Sequence, residues 1–493
     1  MKEYFNLIFP LLTAATVTQC TSVKPKEEVT KKPNVIYILA DDMGYGDLSC
    51  LNPASKIQTP NLDKFASEGQ TYWDAHSGSS VSTPSRYCVL TGRYAWRSNL
   101  KKGVLLGYSE PLIEKNRSTV AHLFHENGYN TLCIGKWHLG MTWAKKDDKK
   151  LDAFSGMNVD HTKTIQDTPV DRGFDYYYGI SASLDMPPYA LIENHNFVEQ
   201  PDTLYPRDGY QRPGYGVKNE PATSILPSIT RKAIEKINTL SKDTKPFFLY
   251  FALNAPHTPV APTEAFKGKS QAGDYGDYVV EVDDVVRQVM ASLKANKIDD
   301  NTLVIITSDN GPEVICYERA KKFGHFSAGK LKGVKRDLWE GGHRVPFLVR
   351  WPGKVKPGTN VHQPICLIDF YATMAAVLHT SVAEGAAPDS YSFLPLMEGK
   401  NESTRPYIIH HSAHGLFAIR KGDWVYLDGV GDDNEHNRTS DSKSYYELRG
   451  YEYMNEPTSL YNLKDDEREF KDVKAEHPAL VKEMKAILEQ VKK

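Results

Sequence analysis

Cysteine is scarce, with six in 493 residues, and no two of them stand at a spacing that a metal would use. Apart from Cys20 they are Cys50, Cys88, Cys133, Cys316 and Cys366, odd in number and scattered, which argues against a dense disulfide framework and leaves room for one bridge at most. An excess of either charge sign is lacking too. Lys plus Arg number 60 against 62 for Asp plus Glu, so there is no overall basic field for nucleic acid, and any affinity for anions has to be local. Beyond the N-terminus no stretch is long and apolar enough to cross a bilayer, and no internal repeat is evident.

The apolar run that is present, Tyr4 to Val17, follows Lys2, is too short to span a membrane comfortably and ends in Val17-Thr18-Gln19-Cys20. Residues 1–20 therefore read as an export signal, placing the chain in the periplasm or at the surface of a bacterium. Cys20 stands where a bacterial lipoprotein would be cleaved and lipid-anchored; Gln19 replaces the small residue usual before it, so a plain signal peptide is the other reading. Residues 21–32, rich in Lys, Glu and Pro, suit a flexible tether.

The rest alternates apolar strands with helical stretches, the pattern of an α/β fold with a large, mostly parallel sheet sandwiched by helices. Expected strands are Asn34 to Ala40, Thr131 to Gly135, Pro246 to Leu253, Thr302 to Thr307 and Val345 to Arg350; expected helices are Asn61 to Ser67, Thr119 to Asn127, Ser228 to Leu240 and Tyr278 to Ala295. From about Arg405 the texture changes to short strands, a polar stretch from Gly429 to Ser444 and a closing helix from Ala479 to Val491. A main part over 33–400 and a smaller α+β part over 401–493, with a short antiparallel sheet and a terminal helix, follow from that change.

Ligand groups in open α/β sheets gather beyond the carboxyl ends of the strands. The first strand runs straight into Asp41-Asp42, and a later one into Ser308-Asp309-Asn310-Gly311. Adjacent acids after buried strands repel one another unless a cation compensates them, so two such ends side by side suggest an all-oxygen site for Ca²⁺ or Mg²⁺. Two further strands end in Gly135-Lys136-Trp137-His138 and in Asn254-Ala255-Pro256-His257, which would add a cation and two titrating imidazoles to the same mouth. Lys335 is the candidate from Leu331 to Arg336, with Lys332 and Arg336 read as flanking or solvated, and Gly341-Gly342 would let a loop pass close to the site.

The central stretch is Val81 to Arg93, VSTPSRYCVLTGR. Pro84 suits a helix start, Ser85 to Leu90 can continue it, and its first N–H groups would point back towards Ser82, with Arg86 offering a planar fork for a tetrahedral oxyanion. Ser82-Thr83-Pro84-Ser85-Arg86 followed by Leu90-Thr91-Gly92-Arg93 resembles the signature of the sulfatases, in which the first-position Cys or Ser is oxidised to Cα-formylglycine. The other pieces match that family in order from about Pro33 to Pro352.

The resemblance implies an alkaline-phosphatase-like fold and Ca²⁺, rather than Mg²⁺, on Asp41, Asp42, Asp309 and Asn310, with the modified Ser82 as a further ligand. A maturase acting on Ser82 is implied as well. Arg86, Lys136, His138, Ser183, His257 and Lys335 match the positions that hold and process sulfate. Around Ser183 the match is looser, because Leu184 stands where a His is common, and Asp185 becomes a substrate-facing candidate. The implied chemistry is hydrolysis of a sulfate monoester: His257, with Lys335, protonates the leaving oxygen, and His138 takes a proton from the hydrated aldehyde. The expected substrate is an extracellular sulfated glycan attacked from its end, with aryl sulfates as surrogates. Asp171 to Tyr178 and Asp185 to Tyr189 are read as pocket-lining or packing, and His325, Asp337, His343, His410, His411 and His414 as further candidates. One rival is a phosphohydrolase of the same superfamily using an unmodified Ser82. Another is a non-catalytic glycan-binding protein, which would have no need for both His138 and His257.

Overall fold

In the computed structural model, Met1, Glu3 and residues 31–493 are described, except 210, 403, 434 and 451 and the side chains of 435–440. The export signal, Cys20 and nearly all of the tether lie outside the described residues. Contacts set Met1–Lys31 apart as one unit and Lys32–Lys493 as another.

Asn34–Ala40 is buried along its whole length, and this dictates the layers around it. It pairs in parallel with Phe247–Ala252 on one side and Thr302–Ser308 on the other. Asn130–Lys136 and Tyr176–Ile180 extend the parallel run beyond Phe247–Ala252. Phe347–Arg350 lies antiparallel on Thr302–Ser308, and shorter strands complete a ten-stranded sheet. Alternate side chains enter opposite layers. Val35, Tyr37 and Leu39 pack with residues from Ser82–Thr91, Val120–Glu126 and Phe370–Val377, whereas Ile36, Ile38 and Ala40 meet Pro60–Ser67, Ile225–Leu240 and Gly273–Ala295. Each large apolar side chain so buried contributes roughly 1.5–3 kcal/mol, which leaves no place for a polar residue until the strand ends at Asp41.

The smaller sheet orders Ile408–His411, Phe417–Lys421, Trp424–Asp428 and Ser459–Asn462, all antiparallel. One face packs Ala418, Val425 and Leu427 on Val334, Leu338 and Trp339. The other packs Ile419, Tyr426 and Leu460 on Met484 and Leu488 of the closing helix Pro478–Lys492 and on Tyr94 and Trp96.

Several element bounds differ from the sequence reading. The helices expected from Ser85 and Ser228 begin at Ser82 and Ile225, which puts Pro84 and Pro227 at their third positions. A proline is tolerated there because first-turn N–H groups have no intrahelical partner to lose. The helix expected from Tyr278 begins at Gly273, and Thr119, expected as the first helical residue, instead caps Val120–Glu126 by accepting the His122 N–H. The stretch Gly429 to Ser444, read as merely polar, carries most of the helix Glu435–Leu448. Cys50, Cys88, Cys133, Cys316 and Cys366 are free thiols. Among the described residues no helix is long and apolar enough to cross a membrane.

Candidate active site

Strand register decides which ends meet. Leu39 pairs with both Ala252 and Thr307, and Ala40 with Ser308, so Asp41-Asp42 emerges between the segments that lead to His257 and to Asp309-Asn310. Backbone bonds pin the corner: Asp41 N donates to Ala255 O (2.9 Å) and Asp309 N to Ala40 O (3.1 Å). Asp42 takes a left-handed backbone (φ 64°), and so does His138 (φ 57°); strained conformations of this kind are held where the surroundings over-determine them. Gly341 is needed for close approach, since a Cβ there would stand 2.1 Å from Gly333 O.

Ser82 is the first residue of its helix, and its Oγ lies 3.4 Å from Asp41 Oδ1 and 3.3 Å from Asn310 Oδ1. Arg86, one turn on and fully buried, donates from Nε and Nη2 to Asp309 Oδ2 (3.0 and 2.8 Å) and from Nη1 to Lys136 O. Lys136 Nζ donates to both oxygens of Asp41 (2.9 and 2.7 Å), and Lys335 Nζ donates to Asp42 Oδ2 (2.8 Å). His257 Nε2 faces that same Asp42 oxygen at 3.6 Å, with its Nδ1 donating to Thr258 O. The structure brings Asp41, Asp42, Ser82, Arg86, Lys136, His257, Asp309, Asn310 and Lys335 together as one contact network.

His138, Ser183 and Asp185 stand slightly apart from it, on the wall of a cavity of about 690 Å³ that Ser82, His257 and Lys335 also line. His138 Nε2 donates to Leu105 O (2.8 Å), which leaves a lone pair on Nδ1, buried without a partner. Burial, reinforced by Lys136 and Arg86, holds this imidazole well below its usual range, which favours its neutral form. Ser183 Oγ and Asp185 Oδ1 are likewise buried without partners.

Sequence reasoning missed Glu313, which binds Lys335 (3.4 Å) and pairs with both terminal nitrogens of Arg336. Burial opposes its ionisation, and Arg336 and Lys335 overcome it. Lys102 and Arg212 on the cavity wall were missed as well. Lys332 is not solvated but lies buried over the Trp339 ring at 4.1 Å, whereas Arg336, about a third exposed on the cavity wall, is bound to Glu313. Of the further candidates, His414 lines the cavity, paired with Asp433 at 3.1 Å, whereas His325 is committed to Asp47 (2.8 Å). Tyr177 belongs to the core rather than to the cavity.

Three buried carboxylates thus share one corner. Asp41 is held well below the carboxylate range because Lys136, His257, Arg86 and Lys335 outweigh its burial. Asp309 is pushed upward instead, by burial and by its neighbours Asp41 and Asp42, against the pull of Arg86 and Lys136. The donor set is all oxygen, from Asp41, Asp42, Ser82, Asp309 and Asn310, and its repulsion is not fully relieved by the lysines and the arginine. Such a set fits a hard divalent cation.

A model of the sulfatases matches residues 33–380. The chain belongs to the sulfatase family. It is a sulfuric ester hydrolase with the fold expected of one. A second model, the C-terminal part of N-sulphoglucosamine sulphohydrolase, matches 333–493. An N-acetylgalactosamine-6-O-sulfatase of Bacteroides thetaiotaomicron is 34% identical with both chains covered in full, and human arylsulfatase A is 30% identical over 89% of this chain and 82% of its own. A solved structure from a Bacteroides thetaiotaomicron locus for metabolism of multiple glycosaminoglycans superimposes on this sulfatase with a TM-score of 0.80 at 31% identity, covering 94% of this chain and 100% of its own.

Proposed function

We propose that this sulfatase removes sulfate from the end of a sulfated carbohydrate, using a formylglycine made from Ser82 and a Ca²⁺ ion held by Asp41, Asp42, Asp309, Asn310 and the modified residue. The observation that carries this reading is the convergence of Ser82, at a helix start, with Arg86, Lys136, Lys335 and His257 on the three buried carboxylates. When present, the ion would supply positive charge beside the sulfuryl oxygens, and a hydrated aldehyde at residue 82 would supply the nucleophilic hydroxyl chemistry that a plain serine lacks.

The chain's own residues supply the rest. Arg86, locked by Asp309 one turn on from residue 82, holds a cation beside the helix start, where the first N–H groups favour an anion. Lys136 and Lys335 bring two cations to the sulfate, one from each side of the acid pair. As an imidazolium, with its Nδ1–H kept on Thr258 O, His257 gives the Nε2 proton to the leaving sugar oxygen and becomes neutral, and His138 accepts a proton at Nδ1. Ser183 and Asp185, with unpartnered oxygens in the wall, orient the sugar. Since the 34%-identical relative is an N-acetylgalactosamine-6-O-sulfatase, a 6-O-sulfated amino sugar is the first substrate to try. The proposal keeps an export signal with an optional lipid anchor at Cys20, a catalytic part over 33–400 and a smaller part from 401.

Peptide mass spectrometry of the Ser82 segment from native protein, run beside a sulfate-release assay on that sugar, tests the reading. An aldehyde mass at residue 82 together with released sulfate is expected. Release by protein whose Ser82 is unmodified refutes the formylglycine step, and aldehyde-bearing protein inert on every sulfated saccharide refutes the substrate class.

A further inference from the structure

Outside the sulfate cavity, three histidines and a glutamate close on one another where three segments meet. His76 ends the short strand Ala75–His76, His343 ends the short helix Glu340–His343, and His410 lies on the small sheet. With Glu340 they offer one ligand atom each, all within 4.8 Å of one another, and all four residues are buried. None of them lines the cavity at Ser82.

Proton bookkeeping gives the cluster a direction. His343 Nε2 lies 2.9 Å from Leu338 O, which can only accept, so the His343 proton is on Nε2 and its Nδ1 presents a lone pair. His76 Nε2 lies 2.6 Å from Asp74 Oδ1 and 3.2 Å from Arg420 Nη1; the shorter contact assigns its proton towards Asp74, which Arg344 and Arg420 keep ionised in spite of its burial. That leaves His76 Nδ1 facing the His343 lone pair at 3.1 Å, a gap that must hold either a proton or a cation. Both nitrogens of His410 and Oε1 of Glu340 are buried without any partner, although Glu340 Oε2 is gripped by Arg344 (2.6 Å).

We propose that His76, His343, His410 and Glu340 form a second metal site, for a borderline transition ion such as Zn²⁺, independent of the sulfate site. Three imidazoles and one carboxylate suit a tetrahedral ion, and the outer contacts are those that ligating histidines make: one ring N–H on a carboxylate, another on a backbone carbonyl. His410 stacks on His343 at 3.6 Å with 10° between the rings, so bringing it onto a shared ion takes a tilt of its ring. No hydrogen bond opposes that tilt, because neither nitrogen has a partner. Glu469 lies behind the cluster: its Oε2 accepts the Glu340 N–H (2.9 Å) and its Oε1 is unpartnered. Occupied, the site would stitch the small sheet to the segment that leads into Ser82, acting on position rather than on chemistry.

The test uses full-length protein without a histidine tag, equilibrated with Zn²⁺, dialysed into metal-free buffer and analysed for metal content. About one Zn²⁺ per chain is expected, with Co²⁺ giving the visible bands of a tetrahedral site. His410→Phe, which keeps an aromatic ring on His343, and Glu340→Gln should lose that metal while keeping their calcium. Should a variant fail to fold, the wild-type protein still decides, since a transition-ion chelator should lower its Tm and Zn²⁺, but not Ca²⁺, should restore it. Wild-type protein that retains less than about a tenth of an equivalent of Zn²⁺, or folded variants that keep it, overturns the proposal.

Discussion

His257→Gln separates the leaving-group step from everything else the site does. His257 Nε2 and Lys335 Nζ meet over one oxygen of Asp42, at 3.6 and 2.8 Å, and the imidazole is oriented by its Nδ1 bond to Thr258 O. Glutamine keeps a polar N–H near Nε2 but has no proton to transfer. A positioned general acid contributes typically 10²- to 10⁴-fold, about 3–5.5 kcal/mol of barrier. All of that is needed when a sugar alkoxide departs, and little of it when a stable nitrophenolate does. In paired assays on a 6-O-sulfated amino sugar and on nitrophenyl sulfate, kcat for the sugar should fall by about 10²–10⁴ and kcat for the aryl ester by less than about tenfold. Because Lys335 shares the Asp42 oxygen, combining His257→Gln with Lys335→Ala should lose less than the product of the single effects. Equal losses on both substrates would refute the assignment and make His257 a binding residue.

Removing calcium with a chelator should abolish turnover, and Ca²⁺ should restore it better than Mg²⁺, as measured by released sulfate; full activity in the stripped enzyme would contradict the reading of Asp41, Asp42, Asp309 and Asn310. Arg405→Met, which strips the buried Asp369 of its cation, should destabilise the chain by about 3–5 kcal/mol in urea unfolding. Burial already pushes Asp369 upward against Arg405, so the loss should be smaller at pH 5, where protonation is easier, than at pH 8. His161 is lowered to about 4 by burial, and its Nε2 bonds the Tyr108 hydroxyl at 2.8 Å. A histidine kept neutral by the fold stabilises fully above its unfolded value of 6.5, and that contribution is lost as pH falls towards 4. The Tm of His161→Asn should therefore fall less than that of the wild type across this window, and parallel curves would disprove it.

The sequence disclosed those parts of the site that physics forces to be local. A strand buried on both faces must be a continuous apolar run, so Val35 to Ala40 and Leu303 to Thr307 announce themselves, and so does the abrupt arrival of Asp41-Asp42 and Asp309-Asn310 at their ends. The Ser82 motif was legible because its chemistry and its helix start occupy one short segment. Glu313 was not, because what makes it matter is an ion pair with Arg336 and Lys335, 23 and 22 positions away along the chain, and a lone acid after Gly311-Pro312 looks like any solvated loop residue. Lys332 misled for the opposite reason. A lysine in a Gly-rich loop reads as solvent-facing until Trp339 and the Glu469 carbonyl, 3.2 Å from its Nζ, are folded against it. The cluster of His76, Glu340, His343 and His410 shows the same limit most clearly. Each residue alone is a commonplace buried polar group, and no spacing links residues 76, 343 and 410. The docking of the small sheet, by Ala418, Val425 and Leu427 on one face and Ile419, Tyr426 and Leu460 on the other, sets His410 against His343, so what is apolar and local selects the fold, and the fold then assembles the polar sites.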